Sequence, residues 1–348
     1  MRLSSVEVIP YALPFKQPYV TARGVLQRRE MVLLRLLDED GVVGLGEAVP
    51  LSLRGGVGLA EVVQELEGWA ETQEDEVLSA PARCAVATAR MDLLGRRAGS
   101  GSSARGEAVP CNATLVAGQP EKVAAEAERW AADGFTTFKL KLGAESAKNV
   151  VEQGKSQTRA GDVEQVRAVR EAVGSEARIR VDANAAWDLE TATRTLAELE
   201  PYGIELAEQP VATLEEMAEL AESTSIPLAA DESVATLEEA ERAAAMGACA
   251  YTGIKLSKVG GPEAALAIAD VLPAFITSAL DGPVGIAAAA QVAQTVGGSL
   301  AHGLATQRLF ASTIAAVGCE LRDGMLRLPP GPGLGIEIDE EALQAHRI

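Results

Sequence analysis

The stretch RIRVDANAAWD, at residues 178–188, decides the fold. It begins with a short strand-like run, residues 178–182, that ends in a carboxylate, Asp182. Two runs of the same design follow it, GIELAEQP with Glu208 and IPLAADES with Asp231. The steps between the three carboxylates are 26 and 23 residues, close to the length of one strand, one helix and two loops. This spacing predicts a parallel β/α barrel, in which the carboxyl ends of the strands open onto one face.

Lysines flank the three carboxylates in the chain. FKLKLG places Lys139 and Lys141 at an earlier strand end, and YTGIKLSK places Lys255 at a later one, 24 residues after Asp231. The step from Lys141 to Asp182 is longer, at 41 residues, and contains the polar stretch 145–161. We interpret that stretch as a loop inserted at the mouth of the second βα unit.

The first hundred residues show a different pattern. Residues 3–13 and 30–48 are predicted strands, the second a hairpin around the turn DEDG. Two helices are predicted at about 59–70 and 81–97, and the glycine- and serine-rich segment 99–107 is a predicted linker.

From Val109 onward, strands and Ala/Glu/Leu-rich helices alternate, which predicts eight strands. Their ends are expected near Asn112, Lys141, Asp182, Glu208, Asp231, Lys255, Thr277 and Leu304. The predicted fold class is therefore α/β, a modified (β/α)8, TIM-like barrel with an α+β capping domain. The domains would be residues 1–107, the N-terminal part of the cap; 108–305, the catalytic barrel; and 306–348, a C-terminal segment that returns to the cap.

Composition excludes several classes of function. A formal charge of −19 and a pI near 4.6 oppose binding to nucleic acid or to anionic lipid. No apolar run is long enough for a membrane span, and the N-terminus lacks a signal-peptide pattern, so a cytoplasmic location is expected. Four scattered cysteines and two histidines disfavour a zinc site or a disulfide framework. A monomer and a homo-oligomer both remain open.

Three clustered carboxylates need a compensating cation, because their mutual repulsion and burial would otherwise favour protonation. Ligands that are all oxygen indicate Mg²⁺, with Mn²⁺ as the second choice. Such a cation, holding a small-molecule carboxylate substrate, would stabilise the anion formed when the adjacent C–H proton is removed. With histidine scarce, the base is expected to be a lysine, and the charge on Lys139 would favour the neutral amine at Lys141.

At these residues the chain resembles the muconate lactonizing enzyme-like subgroup of the enolase superfamily. The matching motifs are KLK (139–141), DAN (182–184), EQP (208–210), DES (231–233) and KLSKVGG (255–261), and GEA (46–48) extends the likeness to the cap. The resemblance implies that Asp182, Glu208 and Asp231 bind Mg²⁺. It also implies that Lys141 is the base on one face of the substrate and that Lys255 lies on the other.

Residues 277–293 and 301–310 are similar to those of o-succinylbenzoate synthases of the menaquinone pathway. That likeness implies dehydration of 2-succinyl-6-hydroxy-2,4-cyclohexadiene-1-carboxylate through an enediolate. The eighth strand lacks the D-x-D with which dipeptide epimerases of the subgroup hold a substrate ammonium. An N-acylamino acid racemase that uses both lysines remains an alternative, as does a muconate cycloisomerase.

Further residues are expected around the substrate. Capping loops at 19–23, with Arg23, and at 51–56 would cover the pocket, and Ser278 and Gly303 would lie near the succinyl end. Residues expected to orient the ligands and the base are Asn184, Glu232 and Lys258. Outside this reaction class, the alternatives are a noncatalytic metal-binding scaffold and a phosphate-binding barrel, for which DGPVG (281–285) is a weak candidate loop.

Overall fold

The computed structural model describes residues 2–21, 24–52, 55–100, 108–143 and 159–348. It opens with an antiparallel sheet of β1 (Leu3–Thr21), β2 (Gly24–Asp38) and β3 (Val43–Ala48), in that order. The predicted hairpin is confirmed, with Gly41 in the turn at a φ of +82°. β1 and β2 are both longer than predicted, because the two strands continue to pair with each other as far as Thr21 and Gly24, beyond a register shift between Pro14 and Tyr19.

Two helices cover one face of this sheet, α1 (Leu59–Thr72) and α2 (Ala80–Arg97), close to their predicted limits. The layer between them and the sheet is apolar and buried, and it includes Leu34, Trp69 and Leu93. α2 lies very close to β3, which is possible because the strand carries glycine at the contact points.

Gly46 allows this close contact. A Cβ at Gly46 would stand 1.9 Å from the carbonyl oxygen of Ala85 on α2. We expect Gly46→Ala to destabilise the protein by about 3 kcal/mol or more, since neither backbone can move without disturbing the layer. Gly68→Ala is the matched control, because Gly68 is exposed on α1 with nothing within 4 Å of its Cβ position. That change should stabilise the protein by about 1 kcal/mol. Urea unfolding measures both, and equal stability of Gly46→Ala and the parent would contradict the packing argument.

The rest of the chain builds a parallel sheet with helices between its strands. The strands are β5 (Ala113–Leu115), β6 (Thr137–Lys141), β7 (Arg178–Asp182), β8 (Ile204–Glu208), β9 (Leu228–Ala230), β10 (Tyr251–Ile254) and β11 (Ala274–Ile276). The helices are α3 (Pro120–Ala132), α4 (Arg159–Val173), α5 (Leu189–Leu199), α6 (Leu214–Ala221), α7 (Leu237–Met246), α8 (Leu256–Val259), α9 (Pro262–Val271) and α10 (Pro283–Val296). The strands pair in chain order, so their carboxyl ends share one edge.

The predicted eighth strand is reduced to two bridges in the described structure. His302 pairs with Cys111 and Gly303 pairs with Thr277, both in parallel. Asn112 N donates to His302 O at 2.9 Å, and Gly303 N donates to the carbonyl of Ile276 at 2.8 Å. This short extended pair therefore hydrogen bonds to segments at both edges of the seven-stranded sheet.

The beginning of the alternating region also differs from the prediction. The first parallel strand, β5, begins after Asn112 rather than ending there. The segment before it, β4 (Val109–Pro110), pairs antiparallel with a C-terminal strand instead. Cys111 and Asn112 lie between these two pairings and face the 302–303 segment.

The C-terminal segment contains β12 (Ala315–Val317), β13 (Glu320–Arg322), β14 (Met325–Arg327), β15 (Glu337–Ile338) and α11 (Glu340–His346). β12 pairs with β15, and β14 lies between β13 and β4. The segment also meets β1, through bridges from Phe310 to Phe15 and from Arg347 to Tyr11. The C-terminal segment thus contacts the N-terminal sheet at these two bridges.

The predicted insertion at 145–161 lies outside the described residues, except at its end. Residues 159–161 belong to α4, so the loop would be shorter than predicted. Among the described helices, none combines the length and the apolarity that a membrane crossing requires.

Candidate active site

Two lysines of β6 reach the carboxyl edge of the sheet from the same side of the strand. Lys139 Nζ donates to both carboxylate oxygens of Glu208, at 3.1 and 2.9 Å, and lies 3.0 Å from Asp182 Oδ2. Lys141 Nζ donates to Asp182 Oδ2 at 2.5 Å and to Asn184 Oδ1 at 2.8 Å. The side chain of Lys141 is 25% exposed and that of Lys139 only 8%, so Lys141 is the more accessible of the two.

The three carboxylates stand at the carboxyl ends of three consecutive strands and are all buried. Asp182 and Glu208 end β7 and β8 and are direct partners across them. Asp231 follows β9 and pairs with Lys255, which follows β10. We call these three carboxylates the carboxylate ring. The side chains of β6, β7, β8 and the ends of β9 and β10 thus converge as the strand spacing predicts.

Charge is unevenly compensated within the carboxylate ring. Burial alone would lower the pKa of Lys139, but the adjacent Asp182 and Glu208 carboxylates raise it well above its usual value. Burial would raise the pKa of Asp182, yet Lys139 and Lys141 together hold it well below the usual range. Glu208 differs, because burial and the charges of Asp182 and Asp231 outweigh Lys139 and raise its pKa. A further cation beside Glu208 would oppose this shift and favour its ionised form.

The three residues expected to orient the ring do contact it or its partners. Asn184 links Lys141 to Glu232, since its Nδ2 donates to Glu232 Oε1 at 3.0 Å while its Oδ1 accepts from Lys141. Lys258 Nζ donates to Asp231 Oδ1 at 2.9 Å and also to the Asp231 carbonyl. Each therefore acts on the position of a neighbouring charged group.

Gln209 is a positioning residue that the sequence interpretation missed. Its Oε1 accepts from Asp231 N at 2.8 Å, Ser233 N at 3.2 Å and Ser233 Oγ at 3.0 Å. Its backbone has a φ of +38°, in the left-handed region that non-glycine residues rarely adopt. The signal was present in the E-Q-P motif, but the motif does not say that the amide spans from β8 to the turn after β9.

The predicted pocket residues of the last two units lie together. Ser278 N donates to Gly303 O at 3.1 Å, and Ser278 Oγ accepts from Thr306 Oγ1 at 2.9 Å. Ser278 Oγ also donates to Asp281 Oδ2 at 2.5 Å. Arg23 lies outside the described residues, as do residues 53–54 of the second capping loop.

The DGPVG segment is arranged differently from a phosphate loop. Gly282 N, just before α10, donates to Glu47 Oε1 at 2.7 Å. A carboxylate of the protein itself thus takes the place that a phosphate would need at this helix N-terminus.

The profile of the enolase C-terminal domain-like family matches residues 122–342, the part of the chain that carries these side chains. This chain belongs to the enolase superfamily. Within it, the relatives place the chain in the muconate lactonizing enzyme-like subgroup.

Relatives in this enolase subgroup carry different activities. An o-succinylbenzoate synthase of Thermobifida fusca is 38% identical over 211 residues, which span 60% of this chain and 62% of that protein. The muconate lactonizing enzyme of Pseudomonas fluorescens, solved with muconolactone, is 28% identical with a TM-score of 0.87, and the match covers 100% of this chain and 99% of that one. A dipeptide epimerase of Enterococcus faecalis, solved with Mg and L-Leu-L-Tyr, is 26% identical with a TM-score of 0.86, and the match covers 97% and 100% of the two chains.

The carboxylate ring of this enolase-superfamily chain offers oxygen ligands, which hard divalent cations prefer. As they stand, no three carboxylate, thiol or imidazole groups of the described residues are arranged to hold a metal ion. Ammonium groups are in contact with the carboxylates instead, Lys139 between Asp182 and Glu208, and Lys255 on Asp231. The ring thus attracts positive charge and offers only oxygen ligands, as Mg²⁺ requires.

Proposed function

We propose that the chain is a Mg²⁺-dependent o-succinylbenzoate synthase of menaquinone biosynthesis. Its substrate would be 2-succinyl-6-hydroxy-2,4-cyclohexadiene-1-carboxylate. The observation that carries the proposal is that Lys141 and Lys255 reach one carboxylate ring from different strands, β6 and the end of β10. The similarity to the Thermobifida fusca synthase supports this choice of substrate.

Asp182, Glu208 and Asp231 would hold the metal, with Mn²⁺ as a substitute. When bound, the cation would supply positive charge to the substrate carboxylate. Asn184 and Lys258 would keep the base and Asp231 in position through the contacts described. Glu232 would act on Lys141 through Asn184.

In the proposed reaction, neutral Lys141 removes the proton from the ring carbon that bears the carboxylate. The electrons of that C–H bond form a carbon–carbon double bond as the bond to the 6-hydroxyl breaks. Lys141 returns its proton to the departing oxygen, so water leaves and the amine is neutral again. Lys255, as an ammonium, stabilises negative charge from the other side of the ring.

The segment 301–305 supports an anionic or neutral substrate rather than a dipeptide. It reads Ala-His-Gly-Leu-Ala and is buried at residues 301 to 305, with no carboxylate that could hold a substrate ammonium. Ser278 and Gly303 would lie near the succinyl end of the substrate, and the capping loop that contains Arg23 would cover the pocket.

A second candidate is an N-acylamino acid racemase. The presence of Lys255 beside Asp231 favours it, because racemisation needs a base on each face of one carbon. A third candidate is a muconate cycloisomerase, in line with the similarity to the Pseudomonas fluorescens enzyme.

We also propose the predicted division into domains. Residues 108–305 would form the catalytic barrel, closed by the 302–303 segment, and residues 1–107 with 306–348 would form its cap. The bridges of the C-terminal segment to β1 support this grouping.

An activity assay separates the candidates. We expect rapid, Mg²⁺-dependent conversion of the cyclohexadiene carboxylate to o-succinylbenzoate, followed by absorbance and abolished by a chelator. In D2O, the parent and its Lys141→Ala and Lys255→Ala variants are then tested for deuterium exchange into N-acyl amino acids. Dehydration without exchange indicates a synthase only. Exchange that both lysine changes abolish, with no dehydration, would replace the synthase proposal by racemisation.

A further inference from the structure

A buried polar cluster connects the N-terminal sheet to the loop after β11. It consists of Tyr11, Arg29 and Glu47 from β1, β2 and β3, together with Asp281, and we call it the Glu47 cluster. All four side chains are at least nine-tenths buried. Tyr11 Oη donates to Glu47 Oε2 at 2.7 Å, and Gly282 N donates to Glu47 Oε1 at 2.7 Å. One carboxylate thus joins the sheet to the start of α10.

Arg29 makes a second connection to the same loop. Its Nη2 donates to the carbonyl of Ala279 at 3.1 Å and to that of Pro50 at 2.8 Å. The guanidinium therefore ties the loop after β11 to the segment after β3. The loop is held at both of its ends, by Arg29 near its beginning and by Glu47 near its end.

The contact leaves no room for adjustment. A Cβ at Gly282 would lie 2.2 Å from Tyr11 Oη and 2.7 Å from Glu47 Oε2. A Cβ at Gly285 would lie 2.6 Å from Glu47 Oε1. The two glycines allow the backbone at the start of α10 to approach the carboxylate. Contact with Glu47 therefore fixes the distance between this loop and the N-terminal sheet.

The loop in turn sets the direction of Ser278. Asp281 Oδ2 accepts from Ser278 Oγ and from Ala279 N, the latter at 2.7 Å. Leu280, between them, has a φ of +68°, which is a strained conformation for leucine. Such a turn persists only when surrounding contacts stabilise it, and the Glu47 cluster provides these contacts.

Burial of these ionisable groups costs electrostatic free energy, which argues against a purely structural role for the cluster. Burial, followed by the charge of Asp281, raises the pKa of Glu47 to about 7. Burial likewise raises the pKa of Asp281, although Ser278 and Arg29 oppose this. Among the described residues, the other ionisable groups that face the pair are Tyr11 on β1 and Cys84 on α2, and the pKa of each is raised as well. An apolar contact would join the two layers without this electrostatic cost.

We propose that Glu47 is a positioning residue that, from the N-terminal sheet, holds the loop 278–282 and with it Ser278. Glu47 does not touch the carboxylate ring, and it acts on the substrate through the loop. The effect on substrate binding depends on the proposed function, whereas the effect on the loop does not.

Amide hydrogen exchange of the intact protein tests the loop directly, with no substrate present. In Glu47→Ala we expect exchange in the segment 277–286 to rise at least tenfold, because Gly282 loses its acceptor. Glu47→Gln keeps an acceptor for Gly282 and a partner for Tyr11, so it should stay within about twofold of the parent. Tyr11→Phe, which removes one hydroxyl, should give an intermediate rise in exchange over 277–286. It replaces Glu47→Ala as the test variant if Glu47→Ala does not fold.

Glu65→Ala is the control for general destabilisation. Glu65 accepts from Ser79 N at 3.2 Å, within the same N-terminal region but away from the loop. It should leave exchange in 277–286 unchanged. Equal exchange in Glu47→Ala and the parent, or an equal rise in Glu65→Ala, overturns the proposal.

Steady-state kinetics with the cyclohexadiene carboxylate then measures the consequence. KM should rise about tenfold in Glu47→Ala with kcat within about twofold, and Glu47→Gln should restore KM. If the parent has no such activity, the proposed function fails while the exchange result still decides the role of Glu47. A fall in kcat with KM unchanged would contradict the role in substrate positioning.

Discussion

Replacing Lys141 with alanine is expected to lower kcat for the proposed dehydration about a thousandfold, because Lys141 is the proposed base. The fold should persist, since Asp182 keeps Lys139 as a partner at 3.0 Å. Stopped-flow absorbance at saturating substrate measures kcat, and circular dichroism confirms that the variant is folded.

Lys122→Ala is the matched control for this experiment. Lys122 lies exposed on α3, so the same loss of an ammonium there should leave kcat within about twofold. If Lys141→Ala retained a tenth or more of the parental kcat, another group would have to be the base. Lys255→Ala, tested beside it, would show whether that group is the second lysine.

Replacing Lys139 with methionine is expected to destabilise the protein by about 3 to 5 kcal/mol when a chelator is present. Lys139 stands between Asp182 and Glu208, and all three side chains are buried. Without that ammonium, Glu208 loses the cation that donates to both of its oxygens, although the charge of Lys255 still acts on it. Two buried carboxylates would then repel each other across adjacent strands.

Divalent metal should reverse much of this loss. We expect added Mg²⁺ to raise the melting temperature of Lys139→Met more than that of the parent, since binding to the folded state stabilises it by mass action. Arg167→Met is the control, because Arg167 forms exposed ion pairs with Glu164 and Glu171 that contribute little. Thermal unfolding with EDTA and with Mg²⁺ gives the comparison. An equal response to Mg²⁺ in both variants would argue against a cation at the carboxylate ring.

The parallel sheet was predictable because its strands combine a local signal with a regular step. Apolar runs that end in Lys141, Asp182 and Glu208 mark three strand ends directly, and the structure ends β6, β7 and β8 at these residues. The eighth strand failed for a physical reason. Among the described residues of this segment, only His302 and Gly303 bridge to their neighbours, because the chain bends at 298–300 and enters a 3-10 helix (Ala305–Leu309) directly after Leu304.

The site was predictable only where its members stand at strand ends. Gln209 lies in a recognised motif, but its hydrogen bonds to the turn after β9 depend on a left-handed backbone that the sequence does not encode visibly. Glu47 was noticed as part of a motif in the cap. Its partner, Gly282, could not be found from local patterns, because a single hydrogen bond between distant residues produces no periodic pattern in the sequence.

That hydrogen bond also has a consequence for synthesis on the ribosome. Glu47 and Gly282 are 235 residues apart, and Arg29 and Ala279 are 250 apart. At about 5 to 20 residues per second, roughly 10 to 50 s pass before the later partners are made. During that interval a nascent N-terminal sheet would present a carboxylate and a guanidinium to water on the face that the loop covers in the finished protein. We expect these charges to keep that face hydrated, and so to protect the unfinished chain from association until the loop arrives.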